Sequence, residues 1–359
     1  MSHDAPPWKL QFASDNTAAV TPEAWQWLQR ANEDPAYTIG YGDDPITARA
    51  VALIRELFET ECDVFFVFNG SAGNSLALSA ICNPYHGILC HPISHAETDE
   101  ANAPEFFTGG AKLIHIGGAA GKMDPSLIGR AFERGHGIHS SKIRAVTLTN
   151  ATEVGTLYTP DEIRRITSIR GEGGGRELKF HMDGARFANA VAALGVPPAD
   201  LTWRAGIDVL TFGGTKNGCS ATEAIVFFDR GLAADFEWRR KQGGQLASKM
   251  RYLSAPWIGM LEDGAWLRHA RHANASARRL ARALAALPGV ELRFPVESNG
   301  VFAKLPEGLA DALFARGWHF YWFSDADAWR FMCSWSCSDE AIAALVRDAR
   351  EVLGGRAGG

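Results

Sequence analysis

The feature that most constrains this chain is a repeated alternation of short, nearly continuous apolar runs with helical stretches. CDVFFVFN (62–69), KLIHI (112–116), IRAVTLT (143–149), ELKFHM (177–182) and IDVLTF (207–212) are rich in β-branched and aromatic residues and read as strands. GNSLALSAIC (73–82) and the stretches 125–134, 160–170 and 184–194 read as the helices between them. In one of these, Thr159, Pro160 and Glu162 supply the N-cap, the first-turn proline and the capping-box glutamate. Strands that are apolar throughout must be covered on both faces, and helical crossovers give them parallel neighbours. The pattern predicts a mostly parallel α/β sheet between two helical layers.

The chain has 359 residues, more than one core usually serves, since single cores stop growing at roughly 250–300 residues. Its character changes near residue 255. Residues 261–287 read as one long helix, VELRFP, GVFAKL and RFMCSW read as strands, and 306–315 and 338–353 as helices. The expected division is an N-terminal arm (1–45), a large α/β domain (46–255) and a small C-terminal α+β domain (256–359). Gly171–Gly175 reads as a loop and Gly354–Gly359 as a frayed end. No internal repeat is present.

The net charge of −5 and the lack of a Lys/Arg block argue against nucleic acid as a partner. No run approaches the roughly 18 apolar residues of a membrane span, and MSHDAPPWKL lacks the pattern of a signal peptide. Cys62, Cys82, Cys90, Cys219, Cys333 and Cys337 form no CxxC pair, and several lie in apolar runs. They read as buried, reduced thiols of a cytoplasmic protein.

Three places carry chemistry. Lys216, in IDVLTFGGTKNG, follows an apolar strand and sits in a Gly-rich turn that lets the backbone approach a ligand. The turn lacks the spacing of a phosphate-binding P-loop, and a solvated loop lysine is the plain alternative. Asp183, in HMDGAR, ends a strand one excursion earlier, at the edge where open α/β sheets bind ligands. Its plain alternative is a helix N-cap with Gly184 at the first helical position. Gly70 and Ser71, in FNGSAGNSLAL, lie between a strand and a helix, where free N–H groups make an anion site. Such a turn also serves packing alone. His91 and His95 have the spacing of a metal pair, but Pro92 and the preceding GILC argue against a zinc helix, and no metal is expected.

The order strand–GS–helix, strand–Asp, strand–Lys resembles the L-threonine aldolases, within the β-eliminating lyase group of fold-type-I pyridoxal-phosphate (PLP) enzymes. The resemblance runs from about Phe12 to Leu353 through FASDN (12–16), YGDDP (41–45), FNGSAGNSLA (68–77), HAETDE (95–100), HMDGARF (181–187), FGGTKNG (212–218) and WRF (329–331). It implies a seven-stranded, mostly parallel sheet with a small C-terminal domain. It also implies cleavage of L-threonine, L-allo-threonine or related β-hydroxy-α-amino acids such as phenylserine to glycine and an aldehyde.

The same resemblance implies residue roles. Lys216 would carry PLP as a Schiff base, Asp183 would pair with its ring nitrogen, and His95 would stack on the ring. Gly70 and Ser71 would hold the phosphate, joined by Arg240 from a neighbouring subunit. Ser14, Arg186 and Arg330 would hold the substrate carboxylate, with Tyr41 at a subunit boundary. His139 would recognise the β-hydroxyl, and either His95 or His139 would be the base. Arg186 is also placed to pair with Asp183. The N-terminal arm would pack near a partner's site in a homodimer or homotetramer. The chain departs from the family in reading GSAGN at the phosphate turn and Asn16 where a threonine is frequent. Other PLP lyases of the same fold, a metal-dependent hydrolase using His91 and His95, and a noncatalytic binding protein remain as alternatives.

Overall fold

Seven strands form the main sheet: β1 (Asp63–Val67), β2 (His86–Cys90), β3 (Lys112–His115), β4 (Lys142–Thr149), β5 (Lys179–Gly184), β6 (Val209–Gly213) and β7 (Glu223–Phe227). They are seen in a computed structural model that describes residues 9, 11–33, 38–133, 137–170 and 178–356. The order across the sheet is β1-β7-β6-β5-β4-β2-β3. Pairs β2/β3, β2/β4, β4/β5 and β5/β6 are parallel, and only β7 opposes its neighbours β1 and β6. Six strands therefore end at one edge. β6 and β7 are joined at that edge by the turn carrying Lys216.

The sheet is sealed on both faces, as apolar strands require. Phe58, Phe187, Phe212, Trp257 and Trp266 belong to one buried cluster, with the Phe212 and Trp257 rings 4.8 Å apart. Leu76, Leu78, Ile88, Val209, Ile225 and Phe236 belong to another. A second, antiparallel sheet, ordered β10-β11-β9-β8, comprises β8 (Glu291–Leu292), β9 (Gly300–Lys304), β10 (Tyr321–Phe323) and β11 (Ala328–Met332). Its core contains Trp318, Phe320, Phe331 and Leu345, and also Phe12. The Phe12 carbonyl accepts from the Met332 N–H at 3.0 Å. That anchor places the next residues, Ser14–Asn16, beside this chain's own β11.

The structure differs from the sequence reading at several elements. The stretch 261–287 is not one helix: Arg251–Leu261 and Ala265–Ala285 are separated at Gly264, whose φ is 63°. VELRFP contributes only Glu291–Leu292 to a strand. β2, β7 and β10 were not read as strands. The helix after β5 starts at Phe187, so Asp183 is strand, not N-cap. Gly354 and Gly355 continue the final helix, Asp339–Arg356. The loop Gly171–Gly175 lies outside the described residues. All six cysteines are buried and unpaired. Among the described residues, no helix is long and apolar enough to cross a membrane.

Candidate active site

The turn after β6 lies against the turn after β5 because two glycines permit it. A Cβ on Gly213 would stand 2.3 Å from the Ala185 carbonyl oxygen, and one on Gly214 would stand 2.5 Å from that of Thr222. The Gly214 N–H donates to Glu223 Oε2 at 2.6 Å. Lys216 is thereby directed into a cavity of about 290 Å³ whose wall includes Ser14, His95, Glu153, Arg186 and Arg330. Burial, and then the Arg186 charge, hold the Lys216 amine below its ordinary pKa. That favours the neutral, nucleophilic amine.

Asp183 lies beneath this cavity, 5% exposed. Its Oδ1 accepts from the Ala185 N–H at 2.9 Å and its Oδ2 from Asn74 Nδ2 at 2.9 Å. Burial alone would raise its pKa, but His95, the Ala185 N–H, Lys216 and Asn74 together hold it below the ordinary value. It is a buried carboxylate kept ionised by its surroundings. Asn74 also donates to Glu100 Oε1 at 2.8 Å, so one amide joins two carboxyl groups.

His95 begins the short helix His95–Thr98, which follows β2. Its Nδ1 is 2.9 Å from Glu100 Oε1, and its backbone N–H donates to Glu153 Oε1 at 2.9 Å. Burial pushes the Glu100 carboxyl up. Burial would lower His95, but the Glu100 hydrogen bond and the Asp183 charge raise it. A proton shared between Nδ1 and Oε1 leaves Nε2 as the nitrogen free to exchange protons; Asp99 Oδ2 stands 3.5 Å from it.

Arg186 pairs with Asp15 and not with Asp183. Its Nε and Nη2 donate to Asp15 at 2.7 and 2.9 Å, while Asn299 Nδ2 adds a bond at 3.0 Å. Asp15 is 1% exposed, and Arg186 and Lys216 keep it ionised against the cost of burial. Arg330, on β11, has no such anion. Its Nε is buried with no hydrogen-bond partner among the described residues. Burial, then the nearby Arg186 charge, lower its pKa. The cavity thus holds one neutralised guanidinium and one that lacks a carboxylate.

Gly70 and Ser71 open the helix Gly70–Ile81, capped by Asn69, whose side chain accepts from the Ala72 N–H. First-turn N–H groups have no partner within their own helix, and a Cβ on Gly70 would meet nothing within 4 Å. The space over this turn is open. Ser14 caps the turn Asp15–Thr17 at the cavity wall.

Of the eleven expected residues, Lys216, His95, Ser14, Arg186 and Arg330 line this cavity, whereas Asp183, Gly70, Ser71, His139, Tyr41 and Arg240 do not. His139 precedes β4, whereas Lys216 and Gly70 follow their strands and Asp183 stands at the C-terminal end of β5, so His139 lies at the opposite edge of the parallel sheet. It lines a separate cavity of about 490 Å³ with Lys112, Arg130 and Ser141. That cavity is larger, but it contains none of Lys216, Asp183, Arg186 or Arg330. Tyr41 is exposed, with Lys241 Nζ 5.4 Å from its ring centroid. Arg240 is buried against Phe65, 5.2 Å from that ring centroid, and its Nε has no partner among the described residues. His91 and His95 form no metal pair: His91 Nε2 is 3.2 Å from the Gly118 carbonyl oxygen. Among the described residues, the group with ligand atoms close enough to share an ion is Cys90, Glu97 and His115. There burial pushes the Cys90 thiol up to about 12.

The sequence reading passed over Asp15, Asn74, Glu100, Glu153 and Glu223. The first three lie inside motifs it had quoted. An asparagine one turn into an otherwise small and apolar helix was the available signal for Asn74.

The chain matches the beta-eliminating lyase family over residues 11–307. It is 54% identical over 343 residues to a low-specificity L-threonine aldolase of a Pseudomonas species, covering 96% of this chain and 98% of the relative. The Pseudomonas aeruginosa enzyme of the same description is 54% identical, with the same shares covered. A solved structure of Leishmania major threonine aldolase superposes with a TM-score of 0.88 at 26% identity, covering 96% of this chain and 99% of that one.

Proposed function

The chain belongs to the beta-eliminating lyase family, among its low-specificity L-threonine aldolases, and on that premise we propose how its own residues carry out the cleavage. The reaction splits L-threonine, L-allo-threonine or a related β-hydroxy-α-amino acid into glycine and an aldehyde. The observation that carries the residue assignment is that Lys216 and Arg330 line one cavity, with Arg330 Nε unpartnered among the described residues and an ionised Asp183 close enough to feel the charges of Lys216 and His95.

The residues fit pyridoxal phosphate. Lys216 offers a depressed-pKa amine for its carbonyl, and Asp183 a carboxylate for its ring nitrogen. Gly70 and Ser71 offer N–H groups at a helix N-terminus for its phosphate. Arg240 is the further cation proposed for that phosphate. When bound, the cofactor supplies an electron sink next to the substrate α-carbon.

The substrate carboxylate is held by Arg330, with Ser14 and the Asp15-fixed Arg186 beside it. Two parallel N–H···O bonds orient a carboxylate as well as binding it, which sets the bond that breaks relative to the sink. His95 Nε2 takes the β-hydroxyl proton while Glu100 holds Nδ1. The carbon–carbon bond breaks, the aldehyde leaves, and the α-carbon takes up one proton, so protons balance over the cycle. His139 has no role in this chain's own cavity.

The division at residues 45 and 255 is retained as part of the proposal. A homodimer or homotetramer is proposed because Phe68, beside the phosphate turn, and Trp238, beside Arg240, are exposed. The six unpaired cysteines favour the cytoplasm. The test is product analysis of the purified protein. Aldehyde released in step with glycine, and visible absorbance bleached by borohydride, are expected. Ammonia and a keto acid would move the chain to β-elimination.

A further inference from the structure

Glu153 lies four residues beyond the end of β4 and lines the cavity. No step above uses it. Its Oε1 accepts two hydrogen bonds, from Thr149 Oγ1 at 2.8 Å and from the His95 N–H at 2.9 Å. Its Oε2 is buried and has no partner among the described residues. An ionised carboxylate would leave that oxygen bare inside the protein, at a substantial desolvation cost.

Of the charged and titratable groups around Glu153, only Arg186 attracts its charge, and that does not offset the cost of burial. Asp183 on β5 opposes its ionisation. Cys90 at the end of β2 and Tyr158 beyond β4 both feel its charge as an anion's. His95 bonds it through the main chain alone, and Arg186 is already paired with Asp15. Burial first, and Asp183 second, raise the Glu153 carboxyl to about 7. Two neighbouring carboxyl groups are therefore driven apart: Asp183 has a donor on each oxygen and the charges of His95 and Lys216 beside it, whereas Glu153 has donors on Oε1 alone. Such a split marks two different tasks.

We propose that Glu153 works as a neutral carboxylic acid, a positioning residue that ties the main chain of His95 to β4 and leaves Asp183 the ionised carboxylate beneath the cavity. The inference rests on the aldolase reading of this cavity. Loss of the Glu153 proton would put a second negative charge beside Asp183 and an unpaired anion behind His95. Cleavage then declines as pH rises through the Glu153 titration.

Glu153→Gln keeps the size and the Oε1 acceptor but cannot ionise. Glu153→Leu removes the acceptor. In the holoenzyme, Glu153→Gln should retain most of its kcat and lose the decline above neutrality. Glu153→Leu should lose roughly tenfold in kcat, short of the roughly 10²–10⁴-fold for deleting an acid–base group outright because His95 itself remains, with KM little changed. A second readout needs no turnover: infrared spectra of the apoprotein, with labelled glutamate, should show a protonated-carboxyl C=O band below neutrality that Glu153→Gln removes. The proposal is overturned if Glu153→Gln is as impaired as Glu153→Leu, if Glu153→Leu matches wild type, or if that band is absent. Should Glu153→Leu not fold, the amide variant and the band decide. A wild-type protein that cleaves no hydroxy-amino acid refutes the aldolase reading, while the band still reports on Glu153.

Discussion

Replacing Asp15 by alanine tests the pairing that organises the cationic side of the cavity. The mutation removes a nearly fully buried carboxylate that makes two bonds to Arg186 and accepts one from Asn299. Breaking a buried pair by deleting one partner costs about 3–5 kcal/mol, because the other charge is left unpaired. Arg186 retains 15% side-chain exposure, so the lower end, about 3 kcal/mol, is expected. For cooperative unfolding of a chain this size, an unfolding entropy near 2.1 cal/mol/K per residue converts that loss to a Tm fall of about 4 °C. A chemical consequence accompanies it. Asp15 supports the charged form of Lys216 and Arg186 opposes it, so removing Asp15 lowers the lysine pKa further. Apoprotein carrying Asp15→Asn, which lacks the charge but keeps an acceptor, should therefore recombine with pyridoxal phosphate with a pH midpoint below that of wild type. Thermal melts and the pH dependence of recombination measure the two effects separately. An Asp15→Ala protein with unchanged Tm and an unchanged recombination profile would refute both the energetic and the electrostatic account of this pair.

Lys216→Ala should abolish turnover and the borohydride-sensitive visible absorbance; a folded mutant that keeps the band would show that another lysine carries the cofactor. Arg330→Lys retains the charge but not the planar fork, so KM should rise and kcat fall together with cofactor absorbance intact, and unchanged steady-state kinetics would place the carboxylate elsewhere. Burial raises Glu223 to about 7 from 4.5, so the folded protein holds this proton over a window in which the unfolded chain has released it. Stability should therefore fall as pH rises across that window and level off above it, by about 3 kcal/mol for this group. Urea midpoints of the apoprotein from about pH 5 to about pH 7.5 should show a shallower fall in Glu223→Gln; an identical slope would mean that Glu223 is ionised throughout.

What was legible in the sequence was local. The capping box at Thr159 and Glu162 forms with both of its hydrogen bonds, because its partners are three residues apart and need no tertiary context. Lys216 and Asp183 announced themselves by standing just after apolar runs, and strand ends are where a parallel sheet presents its ligands. What was not legible was pairing across the chain. Asp15 and Arg186 are 171 residues apart, and nothing in FASDN says that its aspartate, rather than a substrate, satisfies the arginine. Asn74, Glu100 and Asp183 come from three separate excursions and meet only once the sheet order is fixed. β7 escaped notice because TEAIVFF follows a turn with no intervening helix, which the search for βαβ units does not reward. His139 lies away from this chain's own cavity for a reason the sequence contains: a residue preceding a parallel strand is carried to the opposite edge from residues that follow their strands.

The buried charges also bear on the proposal that the cavity holds an amino-acid carboxylate. Three cationic groups, Lys216, Arg186 and Arg330, converge there. Asp15 neutralises one of them through geometry that a substrate would have to displace at the cost of a buried pair. Lys216 is pushed towards its neutral form by burial and by Arg186. That leaves Arg330, which lies 5.6 Å from the Tyr321 ring centroid and has no carboxylate partner among the described residues, on the strand to which Phe12 is fastened. The N-terminal segment and β11 are thus held together by apolar packing around Phe12, which brings Asp15 and Arg330 near enough to Arg186 for all three charges to act on one another. Under the proposed function, a planar carboxylate placed against Arg330 would meet a guanidinium whose Nε lacks a partner among the described residues, with the neutral Arg186–Asp15 pair nearby, an arrangement that would fix orientation as well as affinity.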